Sequence, residues 1–283
     1  MPAPPSRPGT GSTRTRAARR LVSAGHEVVV LVRGGGREVQ GAAVVIGDLT
    51  DVTQWRDRLS GIDAVAHLGG LVTAWSPWRE YEKDIVVPTR DLLAAADAHH
   101  VRRFVYISSE AVLQHGRPLL DITEAQPAPA HPSSGYGRAK LEAEQAIRAY
   151  RGSIETIVLR PTFKRGPGSA QLAEFAARAR AGKLPLVDHG TAAVEHVHVD
   201  NVAVAVVAAL TEGTSGATYF VTNGECMPIR EFVVGVLGAQ GDCFAISDSQ
   251  VVSNERFDRK NAYFDVERDV VGEVCTTRAR HEA

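Results

Sequence analysis

Tyr136 and Lys140 stand four residues apart, at the head of a stretch rich in Ala and Glu. On a helix, positions i and i+4 share one face, so the phenol and the ammonium would converge on a single atom. Upstream, residues 104–109 read Phe-Val-Tyr-Ile-Ser-Ser, an apolar run of the kind that forms a buried strand opening into a loop. That run delivers a serine hydroxyl to a strand end. A phenol, an ammonium and a hydroxyl are what a carbonyl or secondary alcohol needs to exchange a proton while a hydride moves. A phenol with a pKa near ~10 is a poor base at neutrality. An ammonium about 4 Å away is worth roughly 4 kcal/mol at an effective dielectric of ~20, which lowers the phenol by about three pH units. On this reading Tyr136 is the acid/base, Lys140 tunes it, and Ser109 polarises the substrate oxygen. The same spacing also fits two ordinary surface residues, so the surrounding elements must carry the distinction.

Those elements alternate. Helix is expected over 16–24 (closed by Gly25), 53–59, 83–99, 136–150, 171–181 and 201–210. Strands are expected over 27–32, 42–46, 64–68, 104–108 and 155–159, with a short one near His196. Residues 126–132 carry three prolines and read as a loop. The rhythm is that of an α/β, doubly wound parallel sheet with crossover helices.

A chain of 283 residues with 44% apolar content suits one such domain or two joined lobes. The net charge of -1 argues against nucleic acid or an anionic membrane surface as main partner. The longest apolar run, residues 202–210, is too short to span a bilayer. The three cysteines, Cys226, Cys243 and Cys275, have no metal-ligand spacing and cannot all pair, which points to a reducing, cytoplasmic compartment and to no metal.

Several segments, in order, resemble the extended short-chain dehydrogenases/reductases, above all the branch of 3-beta-hydroxysteroid dehydrogenase/isomerases and NAD-dependent epimerases/dehydratases. Residues 28–33 (Val-Val-Val-Leu-Val-Arg) are similar to the second strand, and 47–50 (Gly-Asp-Leu-Thr) to the adenine-contacting turn. Residues 66–70 (Ala-His-Leu-Gly-Gly) resemble the strand end beneath the nicotinamide ribose, and 101–112 the segment bearing the catalytic serine. Leu159-Arg160-Pro161, Gly166-Pro167-Gly168 and residues 198–201 (His-Val-Asp-Asn) continue the pattern. The resemblance implies a Rossmann-like dinucleotide-binding domain over 1–165 and a small interleaved substrate lobe over 166–283. It assigns Ser109, Tyr136 and Lys140 to catalysis, with Lys140 also on a ribose hydroxyl. Gly9, Gly11, Arg33, Asp48, Leu49, His67, Gly69 and Pro161 join Tyr136 and Lys140 around NADP or NAD.

The activity so implied is oxidoreduction of a secondary alcohol or ketone, with a steroid-like or other apolar substrate. Two alternatives stay open: a nucleotide-sugar epimerase/dehydratase, and a catalytically silent dinucleotide-binding relative. The chain departs from the pattern at its start. Four of the first eight residues are proline, so the family's first strand is doubtful, and Arg14 stands at the position of the last glycine of the phosphate-binding turn. Loss of that central strand would leave a gap in the sheet. Val32 holds the place of the usual NAD-selecting acid and Arg33 follows, which favours a 2′-phosphate and hence NADP. Asp48 either accepts from adenine or caps the next helix. Trp75, Pro77, Trp78 and Tyr81 follow the fourth strand and either bind a flat apolar substrate or close the loop over the core. Lys164 and Arg165 are a solvated pair or a phosphate contact. The expected partners are a small molecule and, through the helices at Tyr136 and Lys83, a second copy in a homodimer.

Overall fold

The structure, a computed structural model, describes residues 13–34, 39–73, 75–167, 169–181, 183–184, 186–238, 251–252 and 274–278. Helix α1 (Thr13–Ser23) begins three residues before the expected start at 16. It ends in a Schellman motif: Gly25, at φ 88°, donates to Val22 O and His26 donates to Leu21 O, the left-handed turn that glycine adopts without a Cβ penalty. Strands β1 (Glu27–Val32), β2 (Ala42–Ile46) and β3 (Ala64–His67) follow, the last two with 3-10 turns between them in place of the expected helix. Three residues in one turn and four in the other are too few to repay helix nucleation, and the tighter i→i+3 bond suffices.

The helix expected over 83–99 starts earlier, as one turn of α2 (Trp78–Tyr81), continues through a π turn over Glu82–Val86 and becomes α3 (Val87–Ala98). Pro88 supplies the reason: lacking an N–H, it cannot close the i→i−4 bond, and the wider turn absorbs the break. Strand β4 (Arg103–Ile107), α4 (Gly135–Ala149) and β5 (Glu155–Pro161) complete the first half.

Beyond residue 165 the chain does not stay apart. Strand β6 (Phe163–Arg165), β8 (Ala193–His198) and β10 (Cys226–Pro228) form a three-stranded sheet, with α5 (Ala170–Arg180) and α7 (Ile229–Gly238) packed beside it. Strands β7 (Leu186–Val187) and β11 (Val251–Val252) pair on their own. Yet α6 (Val199–Thr211) and β9 (Thr218–Val221) return to the large sheet.

The large sheet has the order β2-β1-β12-β3-β4-β5-β9, where β12 is Val274–Arg278. Its other neighbours are parallel, but β12 runs antiparallel between β1 and β3. This corrects the expectation of a gap. An empty slot would leave two rows of buried N–H and C=O groups without partners, and any extended segment that reaches it satisfies both. Val274, Thr276 and Thr277 are β-branched, and antiparallel pairing is no weaker per residue than parallel. Gly9 and Gly11 lie outside the described residues.

Each face of the sheet carries its own core. Phe104, Tyr106 and Val158 pack under α3 and α4, whereas Val105, Ile107, Ile157 and Leu159 pack under α1 and α6. This is the period-2 alternation of strands covered on both sides.

Candidate active site

The carboxyl end of β4 meets the first turn of α4. Ser109 leaves the strand in extended backbone (φ -161°) and caps a 3-10 turn over Glu110–Val112, its Oγ accepting from Ala111 N at 3.2 Å. Ser134 caps α4, its Oγ accepting from Gly137 N at 3.0 Å. Gly137 is the residue that lets these two caps touch. A Cβ there would lie 2.4 Å from Ala111 O, so any side chain would push Tyr136 away from Ser109.

Tyr136 is half-buried, with the Ser109 hydroxyl near enough to act on its phenol. Burial pushes its phenol up to about 12, with Ser109 pulling the other way and Tyr81 adding to the rise. Lys140 is 3% exposed. Its Nζ donates to Ile107 O at 2.8 Å, and lies 4.7 Å from the Tyr106 ring centre and 5.9 Å from that of Tyr136. Burial and the Lys164 cation pull the amine down to about 7, against Glu144. The phenol lowered by its neighbouring ammonium is therefore not found in the protein alone. The amine is turned to a strand carbonyl and is itself partly discharged, and burial penalises the charged form of both groups.

Glu110, which the sequence reading passed over, follows Ser109 directly. Burial, with the Glu195 carboxylate facing it, raises its carboxyl to about 7. Glu195 shares the face of β8 that carries Val197, and Val197 packs with Ile107 and Leu159, so this acid points toward the large sheet. The signal available in the sequence was only its adjacency to the serine. Ser108, by contrast, has its Oγ buried with no partner among the described residues.

Among the residues expected to hold the cofactor, His67 turns inward. It is fully buried, its ring 5.4 Å from that of Tyr106, and its Nε2 lies 3.0 Å from Thr89 Oγ1. Thr89 spends its own hydrogen on Ile85 O at 2.6 Å, so His67 donates through Nε2 and leaves Nδ1 as a buried acceptor. Burial, with Lys140 nearby, lowers the ring to about 3 and keeps it neutral. Gly69 and Gly70 follow in the loop beyond, where a Cβ on Gly70 would come 3.7 Å from Lys140 Nζ. Leu49 is wholly buried, and Pro161 ends β5.

Asp48 closes a local turn, its Oδ1 accepting from Thr50 N and Thr50 Oγ1, both at 2.8 Å. Burial raises this carboxyl, but the Thr50 bonds and then the Arg33 and Lys83 cations outweigh it and hold it low. Asp84 shares those two cations, yet burial first, with Glu80 and Asp48, keeps its carboxyl high. Arg33, Lys83, Asp48 and Asp84 thus form one charged group near the carboxyl ends of β1 and β2. Arg14 is buried at the head of α1 and donates from Nη1 to Leu31 O at 3.1 Å.

The aromatic group divides. Tyr81 is a core residue whose hydroxyl donates to Thr73 O at 2.9 Å, Trp78 lies under the Arg138 guanidinium at 3.7 Å, and Trp75 is 70% exposed. Arg165 donates from Nε to His196 Nδ1 at 3.0 Å, which ties it to β8. Among the described residues no cluster of metal-ligating side chains occurs.

The chain is 34% identical over 244 residues to the 2-alkyl-3-oxoalkanoate reductase of Stenotrophomonas maltophilia, covering 82% of this chain and 74% of that protein. It is 33% identical over 239 residues to the 4-hydroxy-2-methyl-3-oxo-4-farnesyl-3,4-dihydroquinoline-1-oxide ketoreductase of Stigmatella aurantiaca, covering 82% and 72%. Among solved structures, the Bordetella bronchiseptica enzyme WbmH in complex with NAD+ superposes with a TM-score of 0.73 at 19% identity, covering 88% of this chain and 85% of that one. The model of the NAD dependent epimerase/dehydratase family matches residues 9–222. With that span and those relatives, the chain belongs to the NAD-dependent epimerase/dehydratase family and is an enzyme of the short-chain dehydrogenase/reductase type.

Proposed function

We propose that the protein is an NAD(P)-dependent ketoreductase, or equally a secondary-alcohol dehydrogenase, acting on an apolar substrate at the carboxyl edge of β4. The observation that carries this is the convergence of Ser109, Tyr136 and Lys140 through the close contact at Gly137. The donor set fits a nicotinamide nucleotide. Lys140 Nζ has three hydrogens and spends one on Ile107 O, which leaves donors for ribose hydroxyls beside the phenol. The bound nucleotide supplies the hydride that adds to the carbonyl carbon. Tyr136 gives its proton to the carbonyl oxygen, and Ser109 holds that oxygen in place. A phenol at about 12 stays protonated across the neutral range, which suits reduction. In the oxidative direction it must first lose that proton, and the nearby Lys140 ammonium is the group that favours the loss.

Arg33 supports NADP over NAD, because a guanidinium at the end of β1 pairs with a 2′-phosphate. Both similar curated relatives are named for reduction of a 3-oxo or keto group, which supports an apolar ketone over a nucleotide sugar. The epimerase reading rests on the same three side chains and on solved structures that share the fold. Among the described residues Cys226 carries a free, exposed thiol, and no helix is long and apolar enough to cross a membrane, both consistent with a cytoplasmic enzyme. Helices α3 and α4 pack against each other, and a homodimer would form through their exposed residues. The experiment is to follow NADPH and NADH oxidation with a panel of 3-oxo esters and cyclic ketones, and in parallel the carbinol stereochemistry of a panel of nucleotide sugars. Net oxidation with a ketone supports the ketoreductase, whereas no oxidation with any ketone, together with inversion of a carbinol carbon in a nucleotide sugar without net nicotinamide turnover, replaces it with the epimerase.

A further inference from the structure

The Leu-Arg-Pro segment contributes nothing to the triad described above, yet Arg160 is 1% exposed and among the largest fully buried side chains. It alternates with Leu159 so as to project onto the α4 side of the sheet, where Val158 also packs. There it meets Glu144, itself fully buried, in a two-pronged pair: Nε to Oε1 at 3.0 Å and Nη2 to Oε2 at 2.7 Å. Arg148, one turn on, adds a third bond to Oε2 at 3.0 Å.

Glu144 follows Lys140 by four residues, as Lys140 follows Tyr136. The three form one row along α4, each step about 6 Å of helix, so anchoring the third fixes the rotation and height of the other two. A buried ion pair is poor evidence for stability, because apolar replacements of similar volume often do as well. Its retention here calls for another role.

We propose that the Arg160–Glu144 pair is a positioning clamp: it locks α4 onto β5 so that Lys140 Nζ stays on Ile107 O, with the Glu144 carboxylate set one turn behind that amine. The proposal rests on the reading of Lys140 as a functional group. The charges and dipoles about Lys140 are few. Glu144 lies behind it on α4, Lys164 on β6 opposes it, and the Ile107 carbonyl and the Tyr106 ring on β4 take the ammonium directly. His67 on β3 is held neutral, and Tyr136 stands one turn before. Without Glu144, burial and Lys164 act unopposed and the proton is lost at lower pH.

The test reads Lys140 itself. The chain has five lysines, so protein labelled with 13C at lysine Cε gives a short spectrum in which Lys140 is assigned by Lys140→Arg. Its midpoint in the parent is expected near the about 7 to which burial brings it. Two variants are titrated: Glu144→Gln, and Glu144→Met with Arg160→Met, the second removing both charges so that neither is left stranded. Each folded variant is expected to show the Lys140 midpoint lowered by roughly half a pH unit or more. The pH above which kcat falls is expected to move down with it, while KM for the ketone changes less than twofold. Unchanged Lys140 midpoints in the folded double variant overturn the clamp. Because the spectrum needs no substrate, a parent that oxidises no NAD(P)H would overturn the ketoreductase reading and leave the clamp to be judged on the titration alone.

Discussion

Lys140 pays a desolvation penalty for its place in the site, and that penalty is measurable. Its amine is lowered from 10.5 in the unfolded chain to about 7 in the fold, by burial first and by Lys164 second. Between those two values the unfolded chain binds a proton that the native state releases, so this group makes stability rise with pH across that window. Below about 7 both states are charged and the native state carries the cost; above 10.5 neither is charged and the cost is gone. Urea midpoints measured from pH 6 to 10 should therefore climb more steeply for the parent than for Lys140→Met. Equal slopes would mean that the amine keeps an ordinary value. Tyr136→Phe addresses the chemistry. It removes one hydroxyl and no packing, so NADPH should bind within about threefold of the parent, while kcat falls by ~10²–10⁴. Calorimetry and turnover on one preparation separate the two, and a kcat within tenfold of the parent would remove Tyr136 from the proton-transfer role.

At the scale of elements, what was legible in the sequence was what is local. The Tyr136–Lys140 face, the Gly25 stop and the strand ending at Ile107 depend on neighbours within one or two turns, and their residues specify them. The filling of the central slot does not. Val274–Arg278 is short, has no apolar period, and pairs with β1 and β3 more than 200 residues earlier. Its β-branched residues permit a strand but do not say where it pairs, because its stabilisation comes from the two ladders it completes. The Arg160–Glu144 pair was hidden for the same reason: both residues stood in view, but only the packing of α4 on β5 makes them partners. Likewise the sequence leaves Tyr81 open between a substrate contact and a ring that closes the loop over the core, and only its bond to Thr73 O decides for the core. The slot yields a direct prediction. Thr276 sits opposite Val29 on one side and Val65 on the other, so Thr276→Pro removes a donor from the middle of a doubly paired strand. A loss of about 3 kcal/mol is expected, the scale of a proline inside a regular element, with a matching fall in urea midpoint. Exposed β1 and β3 edges should also drive association visible by size exclusion. A variant as stable and as monodisperse as the parent would mean that β12 is not what holds the sheet's centre.

For the molecule as a whole, the net charge of -1 conceals a sorted distribution of charge. The two cations Arg33 and Lys83 meet Asp48 and Asp84 where the carboxyl ends of β1 and β2 open, while Lys140 and Lys164 stand at the reacting end near β4 and β6. An extended dinucleotide laid along the carboxyl edge would place its adenosine phosphate at the first group and its nicotinamide at the second. The order of strands supports that path, since the chain turns from β1 to β2 on one side and crosses to β3 on the other, the switch at which such folds take ligands. The two ends should then respond separately. NADPH at a hundred times its Kd should stabilise the native state by about 2.7 kcal/mol, seen as a rise in Tm. Arg33→Ala should weaken NADPH by about tenfold, or 1.4 kcal/mol, and leave NADH unchanged, because only the 2′-phosphate loses a partner. Tyr136→Phe should keep both Tm rises intact, since its hydroxyl serves the substrate. An Arg33→Ala protein that still prefers NADPH by the parental ratio would move the phosphate contact elsewhere, and Lys83 is the cation placed to take it.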